Sequence, residues 1–401
     1  MTAAMTICVG AATSQTTPQP VTVDNQQVQL GDVFSQQTLN VEDSSGQTTA
    51  ATTATGNSVS AAAQGVPMSF TSSQSMQGSA SASTTVNANG SAGHGVVIVT
   101  EAAGNTGQAS VSGATLSGSV SQATNGSAIS ASTGLYAPLG SAAGTVSVST
   151  SAIGNTQAWG TDSGSAGHAT RQTNSSALNA VTDVDVQYMP GTAGFSANAI
   201  ANSVSADGSA ASQAGVISQT NTATRVQAGA FVATGNATDA TGAATTVGNN
   251  ATLTNAAGVL NVVIDQSNSS YVRSDSSVGA YEYGATTSSA YATGNSSLAG
   301  ENGPSLTFDN TQMTSGGVEA VAHANGTNGF DASVSAVATG NAATGYACSL
   351  CEATFSAANR QTNNDGVSAT ATVDVAGSSR NTTATSAATG NSATFFVTRP
   401  R

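Results

Sequence analysis

The chain contains no lysine, and charge of either sign is scarce. Charged residues make up 7% of it, against about 25% in typical soluble domains. Seven arginines, dispersed from Arg171 to Arg401, stand against twenty acids. No basic patch forms, which argues against nucleic acid as a partner, and the acids are too thinly spread to mark a substrate site. Aromatics supply 4% and prolines number seven; the 38% classed as hydrophobic is mostly alanine, with Ser, Thr, Asn and Gly filling most of the rest. Few large side chains remain to offset an ordering entropy of roughly 1–2 kcal/mol per residue. Disordered chains tend to be rich in charge, Pro, Glu and Lys, which this one is not. The composition points instead to an ordered fold, held by dense backbone hydrogen bonding around a thin core. No segment approaches the ~20 apolar residues of a membrane-spanning helix.

What the sequence does contain is a period. Ala-Thr-Gly-Asn occurs at 54–57, 233–236, 292–295, 338–341 and 388–391. Relaxing the motif gives a series of asparagines: Asn57, Asn105, Asn155, Asn202, Asn249, Asn295, Asn341 and Asn391, spaced by 46 to 50 residues. A second mark is a glutamine, usually followed by a small residue and Asn, at Gln74, Gln122, Gln172, Gln219, Gln266, Gln312 and Gln361. Its offset from the preceding motif asparagine is 17 in the first six cases and 20 in the last, the interval that contains Cys348 and Cys351. Counting back from Asn57 places the opening member of the glutamine series at Gln26 or Gln27. A weaker third mark suggests a division into three sub-units of about 15–17 residues.

Between the marks, β-branched and small polar residues alternate with period two, as in Thr145 to Thr150 and Ser368 to Val375. Such segments read as short strands joined by turns. A repeat of this kind buries its face only by stacking on its neighbours. The expected fold is all-β: a parallel β-solenoid of about eight ~47-residue repeats over residues 26–391, with handedness left open. Stacked coils lie ~4.8 Å apart, so like charges are excluded from facing positions, and recurring Asn and Gln can form hydrogen-bonded ladders. The motif residues are therefore expected as ladders and corners, with Gly-Asn adopting positive φ. One coil per repeat gives a stub on the order of 40 Å long, and three coils a rod on the order of 110 Å. Residues 392–401, with Phe395, Phe396 and Pro400, are expected as a cap or a docking tail.

Chemistry is sparse. His94, His168 and His323 are expected at surface or corner positions, since no nucleophile or metal-ligand spacing accompanies them. Cys348 and Cys351 read best as a local disulfide; a redox centre or half of a zinc site lacks partner residues. Asp183 and Asp185 share one strand face and read as a surface pair. No phosphate loop, nucleophile elbow or recurring carboxylate pair is present, so neither catalytic activity, a metal nor a cofactor is expected. Residues 1–25 read as a residual signal or N-terminal extension: Met5 to Ala12 resembles the back half of a secretory leader without its basic start.

Repeated Ala-Thr-Gly-Asn units in a lysine-free, Ser/Thr/Ala/Asn/Gly-rich chain of this length resemble the holdfast anchor (attachment) protein D family of stalked alphaproteobacteria. The resemblance covers roughly residues 26–398. It implies a secreted surface protein, associated with the outer membrane, that fastens an adhesive polysaccharide holdfast to the envelope. The partners it implies are surface polysaccharide, other anchor subunits and an outer-membrane lipoprotein; self-association into an oligomer or filament is a further expectation. Two other readings are an ice- or carbohydrate-binding solenoid and a polysaccharide-degrading β-helix enzyme. The first lacks a regular Thr-x-Thr array, and the second lacks lysine and has only Trp159 as tryptophan.

Overall fold

The computed structural model describes residues 19–210, 212–348 and 354–398, and within them the chain winds through eight parallel-stacked coils. The first coil comprises β1 (Val21–Gln29), β2 (Val33–Val41) and β3 (Gln47–Gln64). The second comprises β4 (Met68–Met76), β5 (Ala80–Ala88) and β6 (Gly95–Ser112), and the third β7 (Thr115–Thr124), β8 (Ala128–Ser141) and β9 (Thr145–Asp162). In the fourth to seventh coils the second and third strands run together as one long, bent strand. These coils are β10 (Ser165–Asn174) with β11 (Ala177–Ser209), β12 (Ser212–Asn221) with β13 (Arg225–Asn255), and β14 (Val259–Asn268) with β15 (Tyr271–Glu301). The seventh pairs β16 (Ser305–Thr314) with β17 (Val318–Cys348), and the eighth has β18 (Thr354–Asn363), β19 (Val367–Val375) and β20 (Asn381–Thr398). Each repeat is thus one coil. Strands opening the coils form one parallel sheet, β1-β4-β7-β10-β12-β14-β16-β18, and the remaining strands form the other sheet. At ~4.8 Å per step the stack is about 34 Å from first coil to last.

The register follows the sequence marks. Asn57 pairs with Asn105, Asn105 with Asn155, and so on to Asn341 with Asn391. The motif is a corner. Gly and Asn are buried in succession at 104–105, 154–155, 248–249, 294–295 and 340–341, which reverses the phase of in–out alternation. The corner does not use positive φ, contrary to the sequence-based expectation. Among the described residues positive φ falls at Gly65, Gly93, Gly113, Gly144, Gly258 and Ser163, each between strands. Glycine is needed at the corner for close approach instead. A Cβ on Gly104 would lie 2.5 Å from the carbonyl oxygen of Gly154, and one on Gly294 would lie 2.5 Å from that of Gly340. The off-register Ala-Thr-Gly-Asn at 233–236 lies elsewhere on the coil, with Asn236 paired to Tyr188 and Glu282.

The interior is thin where alanine lines it and thicker at two bends. Ala54, Ala82, Ala102, Ala131, Ala152, Ala180 and Ala199 form the narrow middle. One bend holds Val96, Ile98, Leu135, Val148, Val184, Met189 and Phe195. The other holds Phe70, Leu116, Trp159, Ile217, Leu253, Leu260 and Phe308. Strand edges, normally exposed to other chains, are covered throughout the stack by the neighbouring coils. At the two terminal coils the outer edges pair with no other described strand.

Candidate functional site

The sequence-marked amides face inward and are joined from coil to coil. Asn57 Nδ2 donates to Asn105 Oδ1, and the same bond links Asn105, Asn155, Asn202, Asn249, Asn295, Asn341 and Asn391 in turn, each at 2.7 or 2.8 Å. The glutamines run the other way. Gln74 Nε2 donates back to Gln27 Oε1, and Gln122, Gln172, Gln219, Gln266, Gln312 and Gln361 each donate to the preceding member at 2.7 to 2.8 Å. The second amide hydrogens lace the two ladders together. Each asparagine from Asn57 to Asn341 donates to the carbonyl of the residue after the next glutamine, as Asn155 does to Thr173 at 2.8 Å. Each glutamine donates to the carbonyl of the residue after a motif asparagine, as Gln172 does to Ser203 at 2.8 Å. This reciprocity is the physical content of the constant offset: the two amides must meet across one stretch of interior, which gives both amide hydrogens of each internal ladder member an acceptor.

Further polar columns fill out the interior. Asn174, Asn221 and Asn268, two residues beyond the glutamines, form a short third ladder at 2.7 to 2.9 Å. Thr52, Thr84, Thr100, Thr133, Thr150 and Thr182 form a chain of hydroxyl contacts at 2.7 Å, all buried. These threonines are therefore not an outward array for ice. Glu301 is also fully buried; it accepts from Asn255 Nδ2 at 2.9 Å, and burial raises its pKa.

The histidines separate. His94 is exposed, as expected. His168 corrects the expectation: it is buried, stacked on Trp159 with ring centroids 5.0 Å apart, and burial pushes its pKa down to about 4. Its column explains this, since position 168 is in register with Gly118 and Gly215 and, further along, with the core rings Phe70 and Phe308. His323 contacts Asp374, Nε2 to Oδ2 at 2.9 Å. Cys348 ends β17, whereas Cys351 lies outside the described residues, as does the leader-like stretch from Met5 to Ala12. Among the described residues no group of three His, Cys, Asp or Glu side chains is placed to hold a metal ion. Among the described residues no helix is long and apolar enough to cross a membrane.

Outside, one flank carries a groove of about 1090 Å³ that crosses several coils, lined by Tyr136, Asp183, Asp185, Phe231, Tyr281, Asn325 and Asp374. Asp183 and Asp185 alternate with buried Thr182, Val184 and Val186, so both carboxylates point out on one face. Tyr136 donates to Asp183 Oδ2 at 2.9 Å; partial burial and then that carboxylate push the phenol up to about 12. A second cleft beside it presents Tyr188, Glu282, Asn328 and Phe330, with Tyr188 49% and Phe330 60% exposed. The aspartate pair stands out in the sequence, whereas the aromatics around it do not. Tyr136, Asp185 and Asn325 share one position of the repeat, paired coil by coil through Ala233 and Gly279. Aligning every residue modulo the repeat is the signal that groups them.

A polar-laced interior, one coil per repeat and an aromatic–acidic flank define a β-solenoid scaffold. No curated protein and no solved structure matches the chain. The model of the family described as holdfast attachment protein D matches residues 42–317, more than half of the chain. The chain belongs to that family. Membership implies a holdfast attachment function at the cell surface.

Proposed function

We propose that the chain is a non-enzymatic, secreted structural protein that anchors the adhesive holdfast polysaccharide to the outer membrane. In this reading the flank groove is the sugar-contacting face. The observation that carries it is the grouping of Tyr136, Phe231 and Tyr281 with Asp183, Asp185 and Asn325 along a surface that runs across coils. Ring faces pack against the C–H faces of sugars, while carboxylates and amides take up hydroxyl hydrogen bonds. A groove crossing successive coils suits a polymer, which fills neighbouring subsites at once and gains by multivalency. The other anchor subunits and an outer-membrane lipoprotein complete the proposed assembly.

The test is made in cells. Replacing Tyr136, Phe231 and Tyr281 together by alanine leaves surface display intact and lowers holdfast retention about tenfold, the scale set by losing a few anchoring aromatics. A strain deleted for the chain sheds its holdfast. Unchanged attachment in the deletion strain would sink the anchoring role. Unchanged attachment in the triple variant alone would move the contact away from the groove.

A further inference from the structure

The outer faces of the first and last described coils are complementary in hydrogen bonding and in shape. At the first coil, Asn57 donates onward to Asn105, and its Oδ1 accepts from no described residue; Gln27 Nε2 donates to Ser58 O at 2.8 Å and keeps its second hydrogen. At the last coil the situation inverts. Asn391 Oδ1 accepts from Asn341 while its Nδ2 reaches no described acceptor, and Gln361 donates twice while its Oε1 accepts from no described donor. One end therefore offers an amide acceptor and an amide donor where the other offers the matching donor and acceptor. Shape follows the same rule. Phe395, 37% exposed, sits in register on Gly345; the equivalent position of the first coil is Ala61, within the run Ala61–Ala63.

We propose that the last coil of one copy stacks on the first coil of a second copy, head to tail, in the register Gln361 on Gln27, Val367 on Val33 and Asn391 on Asn57. Asn391 Nδ2 then donates to Asn57 Oδ1 and to the carbonyl of Val28, and Gln27 Nε2 donates to Gln361 Oε1. Every internal coil junction is reproduced at the junction between copies. Phe395 covers Ala61 as it covers Gly345 within the chain. Two first coils brought face to face would run antiparallel across the contact and lose the parallel register of every internal junction, so the contact has one polarity. A heterologous contact of this kind does not close, and the product is a linear filament. The inference rests on coil geometry and is independent of the adhesive role.

Sedimentation velocity and electron microscopy of the purified full chain test it. The expected result is a concentration-dependent linear series, one solenoid wide, with an axial repeat of about 38 Å from eight coils. Asn391→Asp keeps the acceptor used by Asn341 and turns a carboxylate toward the next copy, so it blocks one end; Ala61→Glu blocks the other. Each variant alone is monomeric, and an equimolar mixture yields dimers containing one of each. Circular dichroism reports their folding, and Val397→Lys or Ala63→Lys replaces a variant that fails to fold. The inference is overturned if the wild-type chain stays monomeric at every concentration. It is equally overturned if a folded end variant keeps the series, or if the mixture of folded variants fails to dimerise.

Discussion

At the scale of the residue, His168 illustrates how a column decides what a side chain does. Its neighbours along the stack, Gly118 and Gly215, leave room that larger side chains occupy: a Cβ on Gly118 would lie 2.5 Å from the Trp159 ring, and one on Gly215 would lie 2.6 Å from Leu253 and 3.0 Å from the His168 ring. Both ring nitrogens of His168 are buried without a hydrogen-bond partner among the described residues, and desolvation pushes its pKa down to about 4. The unfolded chain titrates near 6.5, so the unfolded state binds the proton first. Stability is therefore fully present above about pH 6.5 and falls by roughly 3 kcal/mol as the pH drops to 4. Denaturant titrations between those pH values should show that fall, and His168→Phe should remove this component of it. Equal pH sensitivity in the variant would assign the effect to the carboxylates. The histidine was misread from sequence because a lone polar residue was judged by type. Its register with Phe70 and Phe308 marks a core position.

At the scale of the element, the ladders were legible because amide stacking demands strict recurrence, and strict recurrence survives low complexity. Their reciprocity was not legible. It depends on the second hydrogen of each amide reaching a carbonyl across the interior, a three-dimensional fact. The longer offset before Gln361 shows how firmly the lacing governs the chain: Asn341 still donates to Thr362 O at 2.9 Å, and Gln361 still donates to Gln312. The longer interval leaves both ladders intact. Asn249→Ala tests the ladder as a unit. It strands Asn202 Nδ2 and Asn295 Oδ1 in the interior, each at about 1–3 kcal/mol, so a total loss on the order of 3 kcal/mol is expected in denaturant midpoints. A loss within the error of an exposed Asn→Ala change would mean that water replaces the ladder. The aromatic flank was the least legible feature, because the residue type at one position changes from coil to coil: Tyr136, Asp185, Ala233, Gly279 and Asn325 in turn, so only alignment modulo the repeat groups them.

At the scale of the whole molecule, stability is built from neighbour contacts between coils, as in other stacked-repeat proteins. Removing residues 203–249 joins Asn202 to Asn250, which stand in register with Asn249 and Ser203. Every remaining amide then finds its partner one coil further on. The shortened chain should fold with the same spectrum of β-structure and a smaller denaturant dependence, since less surface is exposed on unfolding. Collapse of the deletion variant would show that the coils are not interchangeable. Each coil is encoded by one contiguous segment bounded by the same motif, so unequal recombination between neighbouring segments of the gene adds or removes a complete coil. Reach is then inherited as a whole number, adjusted in steps of about 4.8 Å, and a lineage can lengthen or shorten its solenoid without inventing a single new contact.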